Sequence, residues 1–141
     1  MDSTKMGIPQ ILEEVSVIAV VGLSTQPYKE AHRVPAYMQA QGYRVIPVNP
    51  HADEILGEEV YRSLGDIPEP LAEKIDMVNI FRPSDEVAGV VDQALEHLPN
   101  LKAIWAQLGI YDAGAGEIAE AAGLTMIQNR CILVEHASLP A

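Results

Sequence analysis

The sequence predicts an α/β domain of three layers, with a parallel sheet of about five strands and helices on both faces. Short apolar runs alternate along the chain with segments whose apolar residues recur at helical spacing. The run 16–21 is rich in β-branched residues, which is typical of a strand buried on both faces. Because crossovers between parallel strands are right-handed, successive helices are expected to cover both sides of the sheet.

The element boundaries follow from the apolar runs and from the glycines and prolines between them. Strands are predicted at 16–21, 43–48, 77–81, 103–106 and 124–127. Helices are predicted at 8–14, at 31–41, from Pro83 through the apolar positions 87–98, and at 112–122. The segment 51–70 has room for one short strand or helical turn, and 129–136 closes the chain as a loop or short helix.

Three prolines and one aspartate refine these predictions. Pro35 is expected in the first turn of its helix, where N–H groups lack intrahelical partners, with regular hydrogen bonding from about residue 34. Pro47 cannot donate to a ladder, so its strand is expected to end or to lie unpaired there. Pro83 suits the first position of the following helix, and Asp112 suits an N-cap.

Length and charge limit the classes of protein to which the chain can belong. At 141 residues a single domain over 1–141 is expected. The formal net charge of −11 disfavours duplex nucleic acid and membrane surfaces as partners, because both attract basic proteins. A single cysteine, Cys131, precludes an internal disulfide, and the N-terminus lacks a secretory signal, so we expect a cytoplasmic protein.

The candidate binding residues follow strand ends, because ligands of parallel sheets bind beyond the carboxyl ends of the strands. Gly22 ends the first strand and allows a sharp turn with close backbone approach. Lys29, Arg82 and Arg130 are cations just past predicted strand ends in a strongly acidic chain. Charged hydrogen bonds from such groups favour an anionic ligand. Solvated loop charges are the alternative interpretation for each cation.

The first loop does not match a dinucleotide site. The dinucleotide fingerprint, Gly-x-Gly-x-x-Gly, requires three glycines. Here Gly22 supplies the first, but Ser24 and Pro27 stand where the second and third glycines would be. An acid that binds the ribose is expected near the end of the second strand, where this chain has Asn49. Both departures disfavour NAD and leave another nucleotide possible.

Metal and hydrolase chemistry have little support in the sequence. The four histidines show no metal-ligand spacing with one another or with Cys131, so no metal site is predicted. Ser24 lacks the Gly-x-Ser-x-Gly context of a nucleophile elbow.

Several motifs together resemble a known family. They are Val-Val-Gly-Leu-Ser at 20–24, Gly-Tyr-Arg-Val-Ile-Pro-Val-Asn-Pro at 42–50, Phe-Arg-Pro at 81–83 and Trp-Ala-Gln-Leu-Gly at 105–109. The pattern is similar to the small stand-alone CoA-binding domain proteins, which resemble the N-terminal domain of the succinyl-CoA synthetase α subunit. The resemblance covers nearly the whole chain and implies a Rossmann-like domain that binds coenzyme A.

The resemblance also implies a role for particular residues. The phosphates would be held by Gly22, Leu23, Ser24 and Lys29. Val48, Asn49 and Pro50 would line the adenosine side, Phe81, Arg82 and Pro83 would flank the middle of the ligand, and Gln107 would lie toward the pantetheine end. Independently of the family, the strand-end positions of Lys29 and Arg82 predict contacts with ligand phosphates.

Three functions remain open. The first is a CoA or acyl-CoA carrier, sensor or regulatory module without catalysis, because the chain is too short for the synthetase domain that bears a phosphorylated histidine. The second is a small enzyme of CoA thiol or thioester chemistry that uses Cys131 or His136, and the third is a nicotinamide-dependent oxidoreductase. The sequence identifies no acyl group, and a homo-oligomer or a protein partner remains possible.

Cys131 has two interpretations of its own. Beside Arg130, its thiol could form a mixed disulfide with CoA under oxidising conditions. Packing as a small core residue behind the last strand is the more frequent situation for a free cysteine.

Overall fold

The computed structural model describes residues 6–140, in which a five-stranded parallel sheet lies between two layers of helices. The strands are β1 (Val17–Val21), β2 (Arg44–Val48), β3 (Glu54–Ile55), β4 (Glu58–Glu59), β5 (Met77–Ile80), β6 (Ala103–Ala106) and β7 (Thr125–Ile127). The helices are α1 (Ile8–Glu14), α2 (Glu30–Ala40), α3 (Glu69–Ala72), α4 (Val87–His97), α5 (Ala113–Ala121) and α6 (Ile132–Ala137). The predicted fold class is confirmed.

The order of the strands determines where a ligand can bind. The sheet runs β2-β1-β5-β6-β7, and each neighbouring pair is parallel. From β1 the chain moves outward to β2, and it then crosses back over β1 to form β5. Ligands of such sheets bind beyond the carboxyl ends of the strands at this reversal. The crevice therefore opens next to Gly22, which follows β1, and Phe81, which follows β5.

Alternating strand residues supply the cores on the two faces of the sheet. Along β5, Met77 belongs to a cluster with Val34, Met38 and Trp105, whereas Val78 belongs to the opposite cluster. That opposite cluster contains Val87, Val91, Ala94, Ala115 and Ala119 of α4 and α5. The first cluster is closed by α1, α2 and α6 through Ile11, Met38 and Ile132. This alternation explains why the predicted strands read as unbroken apolar runs.

Pro35 does not lie in the first turn of its helix, as we predicted, but in the interior of α2, which already begins at Glu30. An interior proline removes one hydrogen bond, that from residue 35 to the carbonyl of Ala31. The Ala31 oxygen is not left without a partner, because the Ser24 N–H donates to it over 3.0 Å. The helix tolerates Pro35 because a loop outside the helix supplies the missing donor.

Pro47 also differs from the prediction, because β2 continues through it to Val48. The strand is at the edge of the sheet and pairs with β1 on one side only. Gly22 N donates to Val48 O on that side, and Tyr61 N donates to Pro47 O on the other. Since residues alternate between the two sides of a parallel strand, the missing N–H of Pro47 faces outward and interrupts no bond with β1.

The segment 51–70 is more regular than predicted. β3 and β4 form an antiparallel hairpin, and a 3₁₀ turn at Leu64–Asp66 and α3 follow it. The hairpin turn is formed by Leu56 and Gly57, both of which have positive φ, at 56° and 77°. Turns of this kind match the twist of a two-residue hairpin.

The remaining boundaries agree with the prediction to within a few residues. α1 and β6 have the predicted bounds, and Asp112 caps α5, because its Oδ1 accepts a hydrogen bond from Ala115 N over 3.0 Å. Pro83 is the exception, because it does not open α4. It precedes a 3₁₀ turn at Ser84–Glu86 that runs into the helix.

Candidate functional site

Two adjoining hollows open at the carboxyl ends of β1, β2 and β5, and both are lined by Gly22, Pro50 and Arg82. The larger, the loop hollow, has a volume of about 730 Å³ and lies beside the loop that leads into α2. The smaller, the helix hollow, has a volume of about 420 Å³ and lies beside α4. Both volumes fall in the range of about 300–1,000 Å³ typical of small-molecule sites. Together we call them the groove.

Gly22 lies where the two hollows meet, and its lack of a side chain is required there. Its φ is 93°, and a Cβ would lie 2.9 Å from both the carbonyl oxygen of Phe81 and Cδ of Arg82. Its N–H donates to Val48 O over 2.9 Å. The ends of β1, β2 and β5 thus meet at a point that only glycine can occupy.

The loop after Gly22 folds back on the start of α2 through a series of hydrogen bonds. Ser24 Oγ accepts from Gln26 N, and Gln26 O accepts from Lys29 N, each over 3.0 Å. Thr25 lines the loop hollow, and in residues 6–140 neither its backbone nor its hydroxyl takes part in a hydrogen bond. The loop therefore presents polar groups to the hollow next to the amino end of an 11-residue helix.

The cations predicted to bind phosphate differ in their partners. Lys29 lines the loop hollow, and no carboxylate within the described part of the chain lies within ion-pair distance of its ammonium. Arg82 is instead bound in bidentate fashion, with Nε 3.0 Å from Glu86 Oε1 and Nη2 2.8 Å from Oε2. Arg130 pairs with Glu135 over 3.4 Å. Of the three, Lys29 is the cation available to an incoming anion.

The pair of Arg82 and Glu86 sets the charge at the centre of the groove. The hydrogen bond to Glu86 raises the pKa of the Arg82 guanidinium above its ordinary value. The same hydrogen bond lowers the pKa of the Glu86 carboxyl. Both groups are therefore charged at neutral pH, and an anionic ligand meets an arginine that is already engaged.

Asn49 joins the end of β2 to the loop after β1. Its Nδ2 donates to Leu23 O over 2.9 Å, and its Oδ1 accepts from His51 N at 2.7 Å and Ala52 N at 3.1 Å. The side-chain amide thus makes three internal hydrogen bonds. Asn49 lines the groove, but its amide already has partners within the protein.

The other predicted site residues divide between the groove and the interior. Val48, Pro50 and Phe81 line the groove. Leu23 belongs to the core, has no exposed surface and lines neither hollow. Pro83 is exposed and lines neither hollow.

Gln107 is buried rather than open to the groove, with only 5% of its surface exposed. Its Oε1 accepts from Asn79 Nδ2 over 3.1 Å and from Ile132 N over 3.0 Å. Nearby, Trp105 Nε1 donates to Arg130 O over 2.8 Å. These bonds join β5 and β6 to the start of α6, which is a structural role.

The two residues proposed for thiol or thioester chemistry are not brought together. Cys131 is half-buried at the start of α6 and packs against the core cluster that contains Trp105. His136 lies at the other end of α6, with Nδ1 2.9 Å from the Tyr37 hydroxyl and its ring edge-on to Tyr43. With Ser16 and Tyr43 it lines a hollow where β1 and β2 begin, away from the groove.

Among the residues that line the groove without having been sequence candidates, three carry polar or charged side chains that bear on ligand binding. Thr25 gives no signal, because an exposed loop threonine is common. Arg62, which bonds Ala52 O and Asp53 Oδ1, follows an irregular stretch in which the hairpin was not recognised. Glu86 was detectable, because it stands four residues after Arg82 at the spacing of an ion pair on a helix.

Residues 6–140 contain neither a metal-binding cluster nor a membrane-spanning helix. No group of three or more His, Cys, Asp or Glu side chains is arranged so that it could hold a metal ion. Within the same residues, no helix combines the length and the apolar character needed to cross a membrane.

The chain matches one protein family over most of its length. The family model described as a CoA binding domain matches residues 16–137. The chain is 41% identical over 134 residues to the uncharacterized protein YneT of Bacillus subtilis (strain 168), and the match covers 95% of each protein.

Solved structures extend the comparison. A hypothetical protein from Pyrococcus horikoshii OT3 superposes with a TM-score of 0.86 at 34% identity, covering 99% of this chain and 96% of that one. The dinucleotide-forming acetyl-coenzyme A synthetase 1 of Ca. Korarchaeum cryptofilum, in complex with phosphate and ADP, superposes with a TM-score of 0.62 at 28% identity. That match covers 81% of this chain and 26% of the synthetase.

Proposed function

Because the chain belongs to the family of CoA-binding domains, we propose that it binds coenzyme A or an acyl-CoA in the groove, at the carboxyl ends of β1, β2 and β5. The observation that supports this location is Lys29, a cation that lines the groove and has no ionic partner in residues 6–140, in a chain with net charge −11. Opposite charge and hydrogen-bond donors at a helix N-terminus favour phosphate groups.

The residues of the groove fit the chemistry of coenzyme A. Its phosphates are anions, for which Lys29, the Thr25 hydroxyl and the backbone beside Gly22 supply a cation, a polar side chain and close approach. Its adenosine is flat and partly apolar, and the helix hollow offers the apolar side chains of Val48 and Val90.

The internal bonds of Asn49 speak against a nicotinamide dinucleotide. In dinucleotide sites a carboxylate at the end of this strand accepts hydrogen bonds from the ribose. Asn49 Oδ1 already accepts hydrogen bonds from two backbone N–H groups, so it has no lone pair left to accept one from a ribose hydroxyl.

We expect coenzyme A to bind more tightly than NAD. Titration calorimetry of the full chain with each ligand measures the difference directly. Tighter binding of NAD would contradict the proposal, and mass spectrometry of ligands that copurify with the protein gives an independent identification.

We propose a carrier, sensor or regulatory role without catalysis in preference to an enzyme. An enzyme that used His136 would need its substrate at the opposite end of the sheet from the groove. An enzyme that used Cys131 would need a thiol that here packs against the core. Turnover of an acyl-CoA by the wild type, lost in Cys131→Ser or His136→Ala, would support the enzyme instead.

Replacement of Glu86 by glutamine is expected to strengthen CoA binding about three- to tenfold, because it frees the Arg82 guanidinium and removes a negative charge from the helix hollow. The dissociation constant of CoA measures this effect. The control is Asp92→Asn, an equal change of charge on the exposed side of α4. An equal gain in both variants would mean that net charge, and not Arg82, is responsible.

A further inference from the structure

Pro35 lies in α2, one turn after Ala31, which lines the loop hollow. Pro35 itself is buried and does not line the groove. Proline in a helix interior ordinarily destabilises the helix, since it removes a hydrogen bond and its ring crowds the carbonyl four residues earlier. That carbonyl belongs to Ala31, which does line the loop hollow. The cost of the proline therefore falls on the turn of the helix that faces the candidate ligand site.

The carbonyl that Pro35 leaves without an intrahelical partner is used by the loop. Ser24 N donates to Ala31 O over 3.0 Å, a contact between residues seven positions apart in sequence. Ser24 Oγ then accepts from Gln26 N, and Gln26 O from Lys29 N. The bond to Ala31 thus closes a ring of hydrogen bonds that fixes both ends of the segment from Ser24 to Lys29.

We propose that Pro35 is a positioning residue for ligand binding, which acts by directing the Ala31 carbonyl toward Ser24 and so holds the loop that carries Thr25 and Lys29. The proposal rests on the proposed function for its consequence in CoA affinity. Its structural part, the link between Pro35 and Ser24, stands independently of the ligand.

Replacement of Pro35 by a residue with an N–H should raise or preserve the stability of the protein while it lowers the affinity for the ligand. Restoring an N–H at position 35 allows the ordinary bond to Ala31 O and draws that carbonyl back toward the helix axis. A carbonyl oxygen has two lone pairs, so the loss to Ser24 comes from the changed direction of the carbonyl as well as from competition. The helix gains a residue of higher helix propensity, whereas the loop loses its attachment.

The test uses two variants, Pro35→Ala and Pro35→Val, both of which restore the N–H, while valine also keeps an apolar side chain of similar bulk. In the ligand-free protein, exchange of the Ser24 amide hydrogen, followed by NMR, is expected to accelerate at least about tenfold in both variants, with Tm equal to or above that of the wild type. CoA affinity is expected to fall about tenfold, the effect of one hydrogen bond. Pro70→Ala in the first turn of α3, where no intrahelical bond is missing, is the matched control and should change neither the exchange of the Ser24 amide nor the CoA affinity.

The outcomes separate the two proposals. Unchanged Ser24 exchange in both variants overturns the role of Pro35, whatever the ligand. A fall in Tm in both variants, without faster Ser24 exchange relative to other amides, also overturns it and leaves Pro35 as a packing residue. Faster Ser24 exchange in a protein whose wild type binds no CoA supports the link between Pro35 and the loop and rejects the proposed function instead.

Discussion

Gly22→Ala is expected to lower CoA affinity by at least about a hundredfold and the free energy of unfolding by about 2–5 kcal/mol. An L-residue at a φ of 93° costs about 1–2 kcal/mol in backbone strain. The new Cβ would also lie 2.9 Å from the Phe81 carbonyl, a backbone atom that cannot move aside as a side chain can, which adds about 1–3 kcal/mol. Relief of the clash separates the ends of β1 and β5, and more than one phosphate contact is lost with them.

Gly42→Ala is the matched control for this experiment. Gly42 has a similar φ of 104°, but nothing lies within 4 Å of its Cβ position. Its substitution carries the backbone strain without the clash, so we expect a loss of about 1–2 kcal/mol and unchanged CoA affinity. Denaturant unfolding and calorimetry measure the two quantities. Equal effects of the two substitutions on affinity would show that the groove does not depend on the close approach at Gly22.

Lys29→Ala is expected to weaken CoA binding about ten- to a hundredfold while the Tm stays unchanged. A charged hydrogen bond to phosphate contributes roughly 1.5–3 kcal/mol. The ammonium of Lys29 is exposed and has no ionic partner in residues 6–140, so the folded protein loses no ion pair with it. Lys29→Arg should retain part of the affinity, and binding to the wild type should weaken as salt is added.

Lys102→Ala provides the comparison, because Lys102 is exposed and lies before β6, outside the groove. We expect it to leave the affinity unchanged. The effect of Arg82→Ala is expected to be smaller than that of Lys29→Ala, since Arg82 is bound by Glu86. If both Lys29→Ala and Arg82→Ala bind CoA as tightly as the wild type does, neither cation contacts the phosphates and the ligand lies elsewhere.

Much of the fold could be predicted because the apolar runs and the turn residues between them indicated the same element boundaries. Val17–Val21 is buried on both faces, and only an unbroken run of apolar residues satisfies that position. The hairpin of β3 and β4 was missed because each strand has two residues, and three of these four residues are glutamates. Its turn has Leu56 at positive φ, where Asn or Asp is the usual signal.

Pro35 shows why local rules gave the wrong helix start. The rule that an interior proline breaks a helix assumes that the abandoned carbonyl has no other donor. Here the donor is the N–H of Ser24, which comes before the helix in sequence and reaches it only once the loop has folded. No pattern within residues 31–41 contains that information.

The positions of several residues of the candidate site could be predicted from the sequence, whereas their ion-pair and hydrogen-bond partners could not. Strand ends located Gly22, Lys29 and Pro50, which line the groove. Whether a cation there is free depends on neighbours, and Arg82 is engaged by Glu86. His136 was considered as a group for thiol or thioester chemistry, whereas α6 carries it to a contact with Tyr37, away from the carboxyl edge of the sheet.

Only part of the chain lines the described groove, so the effect of a substitution on binding should depend on where in the chain it lies. Within the described residues, both hollows are lined only by positions from Val21 to Gln93. The last two strands of the sheet and their helices add no wall to either hollow and support the site from a distance. Substitutions on the outer surface of that part should therefore be nearly silent for binding, as long as folding is preserved. A fusion partner or a fluorescent label attached near Ala121 or Ser138 would leave the ligand site intact, so this part of the chain is the natural place to attach a reporter.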